Sequence, residues 1–159
     1  MTVQQTITPA PVRKSLFVKA TPQRSFEVFA ANMGKWWPKS HSIGDNPQVD
    51  VIVEPRAGGR WYEIFKDGKQ CDWGCVLAYE PPHRLVLGWQ LSAEWTYDPN
   101  LLTEVEVTFT PEGDGTRVNF EHRNLERFGD KAEAVRGAID SEQGWGAILQ
   151  NFVEVAESE

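Results

Sequence analysis

A chain of 159 residues with 40% hydrophobic content has the material for one sizeable core, which argues for a single domain. Its net charge of -7 excludes nucleic acid as the expected partner, because affinity for a phosphate backbone comes from Lys and Arg neutralising it. The opening M-T-V-Q-Q-T-I-T-P-A-P has no basic flank before an apolar core, and no later run suits a bilayer span. A cytoplasmic protein without membrane insertion is expected.

Residues 1–10 are polar and read as a flexible lead into one domain over 11–157. Val12 to Lys19 reads as a strand with burial on both faces, Val12, Leu16 and Val18 on one side and Phe17 on the other. Thr21-Pro22 is a helix start, hydroxyl cap followed by proline, and Phe26, Phe29, Ala30 and Met33 continue one face until Gly34. Trp36-Trp37-Pro38 precedes a polar loop over Lys39 to Gln48. Val49, Val51 and Val53 then alternate with polar neighbours. Arg60 to Lys66 and Gln70 to Glu80 are strands joined by the tight-turn pair Asp67-Gly68. Arg84 to Leu91, Leu101 to Thr110 and Thr116 to Arg123 complete a set of about seven. Short connections favour an antiparallel meander. Asp130 and Glu133 are placed as the capping box of a short helix near 129–136.

Asp140 to Val155 is read as the long terminal helix. Trp145, Ile148, Leu149, Phe152 and Val155 recur at three- and four-residue steps and form one apolar stripe. Burying those side chains contributes on the order of 7 to 15 kcal/mol gross, an upper estimate, so the helix must dock on the strands. Gly144 and Gly146 cost helix propensity, which predicts close backbone approach there. Cys71 and Cys75 fall on one face of a regular strand, about 13 Å apart and beyond disulfide reach, so both are expected to stay reduced.

The order of Thr21-Pro22, Trp36-Trp37, Gly58-Gly59-Arg60-Trp61, Gly74-x-Val76, Pro81-Pro82, Leu85 to Trp89, Val107-Thr108-Phe109, Gly115-Thr116-Arg117-Val118, His122 and Gly144-Trp145 resembles the START-like (SRPBCC) superfamily. Within it the chain is similar to the branch related to the C-terminal domain of the activator of the heat-shock-protein-ninety ATPase. The likeness runs from about residue 12 to 156. It implies an α+β helix-grip fold, a curved antiparallel sheet wrapped around the C-terminal helix, with a cavity that in many relatives holds an apolar or amphipathic ligand. It does not imply one function, since lipid carriers, polyketide cyclases and co-chaperones share the fold.

Alternation puts Thr116, Val118, Phe120 and His122 on one face of the last strand. An inward His122 is either a polar anchor and general acid/base or a core imidazole bonded to a backbone carbonyl. Trp61, Glu63 and Phe65 share a face, and if it is the inner one, Glu63 is a carboxylate among aromatics suited to proton transfer; if not, it pairs with a cation outside. Trp61, Trp89, Phe109, Phe120, Trp145 and Leu149 are the expected inner wall. Trp36, Trp37, Trp95 and Tyr97 lie in or beside loops and are placed at the cavity rim. His41, His83 and His122 are scattered, and Cys71 with Cys75 lacks zinc-site spacing, so neither metal nor cofactor is expected.

Three functions compete. The first is binding of a small hydrophobic or amphipathic ligand, lined by the residues named. The second is a cyclase- or hydratase-like enzyme using His122 and Glu63, which needs both in one pocket. The third is a chaperone ATPase-regulating domain with the chaperone as partner.

Overall fold

The computed structural model of the protein describes residues 10–44, 46–141 and 143–158. The expected flexible N-terminus lies, apart from Ala10, outside them. Seven strands form one antiparallel sheet: β1 (Val12–Val18), β2 (Gln48–Val53), β3 (Arg60–Phe65), β4 (Gln70–Glu80), β5 (Arg84–Trp89), β6 (Thr103–Glu112) and β7 (Gly115–Arg123). Their order across the sheet is β1-β7-β6-β5-β4-β3-β2, so the chain meanders from β2 to β7 and β1 closes the far edge. The sheet is curled into a half-barrel that grips the terminal helix. Among the described residues no helix is long and apolar enough to cross a membrane.

Helix α1 (Pro22–Ala31) starts as read, the Thr21 hydroxyl accepting the Arg24 amide at 3.1 Å. A short 3-10 turn, Met33–Lys35, follows and carries the chain back toward the sheet. Helix α2 (Ala132–Ile139) has no side-chain cap at Lys131, so the Asp130/Glu133 box does not form. Helix α3 (Trp145–Glu157) begins five residues later than the periodicity suggested, because Ser141 to Gly144 close a turn through the Gly144 amide to the Ser141 carbonyl at 2.9 Å. A Cβ on Gly144 would stand 2.2 Å from the Ile139 carbonyl oxygen, which explains that glycine; among the described residues nothing lies within 4 Å of a Cβ on Gly146, so the close approach expected there is absent. Trp145, Ile148, Leu149 and Phe152 are buried as expected, Val153 and Ala156 join them, and Val155 is only half-buried.

The core lies between the concave face of the sheet and the helices. Phe29 of α1 meets Phe152 of α3 edge-on at 5.1 Å and Phe109 of β6 at 5.9 Å, and Phe120 of β7 lies 4.6 Å from Trp145. Such pairs add about 0.5 to 1.5 kcal/mol each beyond the area they bury. The outer face is charged, with Arg123 bridging Glu104, Glu106 and Glu121.

Three β-bulges alter the expected alternation. One between Gln48 and Asp50 turns Val49 outward, half exposed, while Gln48, Val51 and Val53 point in. A second pairs Trp61 with Gly74 but Tyr62 with Asp72, leaving Trp73 as the extra residue, directed inward. It also shifts the faces on either side, so Cys71, opposite inward Glu63, and Cys75, opposite outward Arg60, do not share a face as a regular strand required; both are free thiols. A third sends Leu77 to the surface.

Candidate functional site

A hollow of about 400 Å³ opens between the concave sheet, the loop after the 3-10 turn and the corner joining α2 to α3. Five indoles line it: Trp37, Trp73, Trp89, Trp95 and Trp145. Each arrives by a different local device. Trp37 follows the 3-10 turn, its amide donating to the Met33 carbonyl at 2.9 Å. Trp73 is the bulged residue of β4, Trp89 ends β5, and Trp145 is the first residue of α3. Trp95 sits in the loop between β5 and β6 with a left-handed backbone, φ +62°, and is 43% exposed.

The rings contact one another in a continuous set, Trp37 with Trp73 at 4.8 Å, Trp37 with Trp145 at 5.7 Å, Trp89 with Trp145 at 5.6 Å and Trp89 with Trp95 at 6.4 Å. Three of the lining indoles have their N–H groups tied to protein. Trp37 donates to the His41 carbonyl at 3.0 Å, Trp73 to Glu63 Oε2 at 2.6 Å and Trp145 to His122 Nδ1 at 3.1 Å. A buried indole N–H must find an acceptor, and meeting it within the protein leaves the apolar ring for the hollow. Ile43, Leu91, Ala138, Ile139 and Ile148 add to the apolar lining, and Ser40, His41, Ser42, Ser141 and Gln143 supply the polar one.

His122 is fully buried at the inner end of β7. An indole N–H can only donate, so the Trp145 bond forces Nδ1 to be unprotonated and leaves the hydrogen on Nε2. Nε2–H then donates to Thr103 Oγ1 at 2.8 Å, and that hydroxyl donates on to the Trp89 carbonyl at 3.3 Å. Burial pushes the imidazole down to about 3, so it is neutral. Its partners are a hydroxyl and an indole, where a backbone carbonyl was the expected core alternative.

Glu63 is also fully buried, on the inner face of β3. Ser42 Oγ at 2.5 Å and Gln48 Nε2 at 3.1 Å donate to Oε1; the Ile43 amide at 3.1 Å and Trp73 Nε1 at 2.6 Å donate to Oε2. Four neutral donors thus meet the carboxylate where a cation was one expected partner. Through Ser42 and Ile43 it fastens the loop that forms one lip of the hollow.

Of the residues expected to bind a ligand, Trp37, Trp89 and Trp145 line the hollow, whereas Trp36, Trp61, Phe109, Phe120 and Leu149 are buried in the core behind it. Trp36, expected at the rim, is inside with its N–H on the Val28 carbonyl at 2.8 Å. Trp95 is at the rim as read; Tyr97 is exposed and pairs its backbone with Leu91 without lining the hollow. Neither His122 nor Glu63 lines it: each stands behind an indole and holds that indole's N–H. Sequence reasoning missed Trp73 and His41. The signal for Trp73 was Gly74, whose Cβ would stand 1.7 Å from the Gly88 carbonyl oxygen, a glycine demanded by close strands beside a bulge.

Residues 19–157 match the family described as Activator of Hsp90 ATPase homolog 1-like protein. No curated protein matches the chain. Among solved structures, an anthrahydroquino-gamma-pyrone synthase, Txn09, is 38% identical, with a TM-score of 0.65 over 93% of this chain and 97% of its own. The self-sacrificing resistance protein CalC from Micromonospora echinospora is 33% identical, with a TM-score of 0.65 over 92% of this chain and 93% of its own. The Aha1 dimer from Colwellia psychrerythraea shares the fold at 16% identity, with a TM-score of 0.62 over 94% and 97% of the two chains. With its matching residues, its seven-stranded curled sheet and its gripped terminal helix, the chain belongs to this Aha1-related family of the START-like superfamily.

Proposed function

We propose that this domain binds a small, flat, largely apolar ligand in the hollow beneath the α2–α3 corner. The observation that carries the reading is the ring of five indoles around about 400 Å³, three of them with their N–H groups satisfied within the protein. Hollows of roughly 300 to 1,000 Å³ with apolar walls and a few polar groups suit small-molecule ligands. Aromatic walls favour a planar ligand, because stacked or edge-on ring contacts add about 0.5 to 1.5 kcal/mol each beyond burial. A relative named for making an anthrahydroquino-gamma-pyrone, a fused-ring aromatic, supports the same class.

Direct proton transfer by His122 or Glu63 fits less well. Each sits behind an indole that donates to it, so a ligand in the hollow reaches either one only if Trp145 or Trp73 swings aside and gives up a buried hydrogen bond. Their role in this reading is to orient the wall. Titration of the purified protein with 2-hydroxyanthraquinone, followed by intrinsic tryptophan fluorescence, tests the proposal. Saturable quenching at one equivalent supports it; quenching that rises linearly without saturating, as by collision, removes it.

A further inference from the structure

We propose that Ser40 and His41 form a proton-accepting pair that recognises a neutral but acidic hydroxyl, phenolic or enolic, on the ligand; this rests on the binding reading above. His41 is the one titratable side chain among the described residues that line the hollow. Its tautomer is fixed by its partners. Nε2 lies 2.7 Å from the Gln143 carbonyl oxygen, which can only accept, so Nε2 carries the hydrogen and Nδ1 holds a lone pair. Ser40 Oγ lies 3.0 Å from that Nδ1 and donates to it. The hydroxyl oxygen of Ser40, itself on the wall of the hollow, is left with lone pairs able to accept a hydrogen bond from a ligand.

The pair is held on both sides. The His41 amide donates to the Pro38 carbonyl and its own carbonyl accepts from Trp37 Nε1, both at 3.0 Å, while the next two residues are bonded to Glu63. The imidazole spans from this loop to the α2–α3 corner through a bond between residues 102 positions apart. A base placed by a hydroxyl on one side and oriented by a carbonyl on the other is the arrangement that proton abstraction needs.

The chemistry selects the ligand class. In the transfer, the ligand O–H bond breaks and its proton goes to Ser40 Oγ as the Ser40 proton passes to His41 Nδ1. The products are a ligand oxyanion and an imidazolium that still donates from Nε2 to Gln143, with Ser40 again a neutral hydroxyl, so charge and protons balance. An aliphatic alcohol is too weak an acid for imidazole to deprotonate. A carboxylic acid arrives already ionised and brings no proton to give. A phenol or enol conjugated to a carbonyl lies between these and matches an imidazole.

The test uses 2-hydroxyanthraquinone, whose phenol and phenolate absorb at different visible wavelengths, buffered about one pH unit below the free dye's ionisation midpoint so that roughly a tenth of it is ionised. Tryptophan quenching reports the bound fraction and absorbance reports the phenolate per bound dye. The expected result is a phenolate band raised on binding to the wild type, and lowered about fivefold per bound dye in both His41→Gln and Ser40→Ala. Ser40 is exposed, so its alanine variant carries the test should the other not fold. Saturable quenching with no raised band, or a band that survives in either variant, overturns the pair while binding stands. Non-saturating quenching of the wild type overturns binding and the pair together.

Discussion

The indole N–H of Trp145, first residue of α3, donates across 3.1 Å to Nδ1 of His122 near the end of β7. The bond joins the gripped helix to the sheet at the back wall of the hollow. It also dictates a pH dependence, because protonating Nδ1 would break the bond and place a charge between the rings of Trp89 and Trp145. Burial holds the folded imidazole down to about 3, whereas an unfolded histidine titrates near 6.5. Below about 6.5 the unfolded chain therefore binds a proton that the folded chain does not. The contribution is fully present above about 6.5 and is lost as pH falls toward 3, by at most about 1.4 kcal/mol per unit. Urea unfolding at about pH 7, 6 and 5 checks this against His122→Asn, in which Oδ1 can still accept from Trp145. Wild type and variant should converge in stability on acidification, and parallel profiles would contradict the assignment.

Glu63 makes a sharper mutational prediction. In Glu63→Gln the amide nitrogen must replace Oε1, facing Ser42 and Gln48, or Oε2, facing Ile43 and Trp73. At Oε2 it would face two groups that can only donate; at Oε1 the Ser42 hydroxyl can turn to accept and Gln48 can flip to present its own unpartnered Oε1, so the nitrogen settles there and a neutral carbonyl is left to Ile43 and Trp73. The bonds from Ile43 and Trp73 lose their charge assistance, and at about 1 kcal/mol for each the variant should lose about 1 to 2 kcal/mol. Amide exchange at Ile43 should also accelerate, since its acceptor is weakened. A denaturation midpoint equal to that of the wild type would mean the carboxylate does not organise this corner.

The fold was legible where one face of a strand is buried without interruption. Thr116, Val118, Phe120 and His122 of β7 alternate over the whole strand, and the inner set is buried as the period of two requires. Legibility failed at the bulges, where one extra residue reverses the faces beyond it: Val49 reads as core and is outside, and Trp73 reads as ordinary strand and becomes a wall of the hollow. The site was less legible than the fold because its polar part is assembled at long range. Nothing near His41 in the chain points to Gln143, and inward placement of His122 and Glu63 identified them as polar groups of the interior without telling which side of an indole they occupy.

Two glycines two residues apart should respond oppositely. Gly144→Ala places a Cβ 2.2 Å from the Ile139 carbonyl oxygen, a backbone atom that cannot step aside without opening the turn before α3. A loss of about 3 kcal/mol or more is expected. Gly146→Ala lies within α3, meets nothing within 4 Å and should gain about 0.5 to 1 kcal/mol from helix propensity and a less free unfolded chain. Thermal unfolding of the two variants under one condition decides it. A stable Gly144→Ala would mean that the corner over the hollow is looser than this turn implies.

Trp95 separates stability from binding. A bulky side chain at φ +62° costs about 1 to 3 kcal/mol of backbone strain, yet the indole is 43% exposed and so recovers little by burial. It stands edge-on to Trp89 at the mouth of the hollow, where a ligand would cover it. Trp95→Gly relieves the strained backbone while removing one aromatic wall. Its unfolding free energy should stay within about 1 kcal/mol of the wild type, the relief offsetting the lost ring contact. Affinity for 2-hydroxyanthraquinone should fall about tenfold, equivalent to about 1.4 kcal/mol and close to one aromatic contact. A variant that unfolds early and binds normally would reverse the assignment, making Trp95 a packing residue whose position at the mouth is incidental.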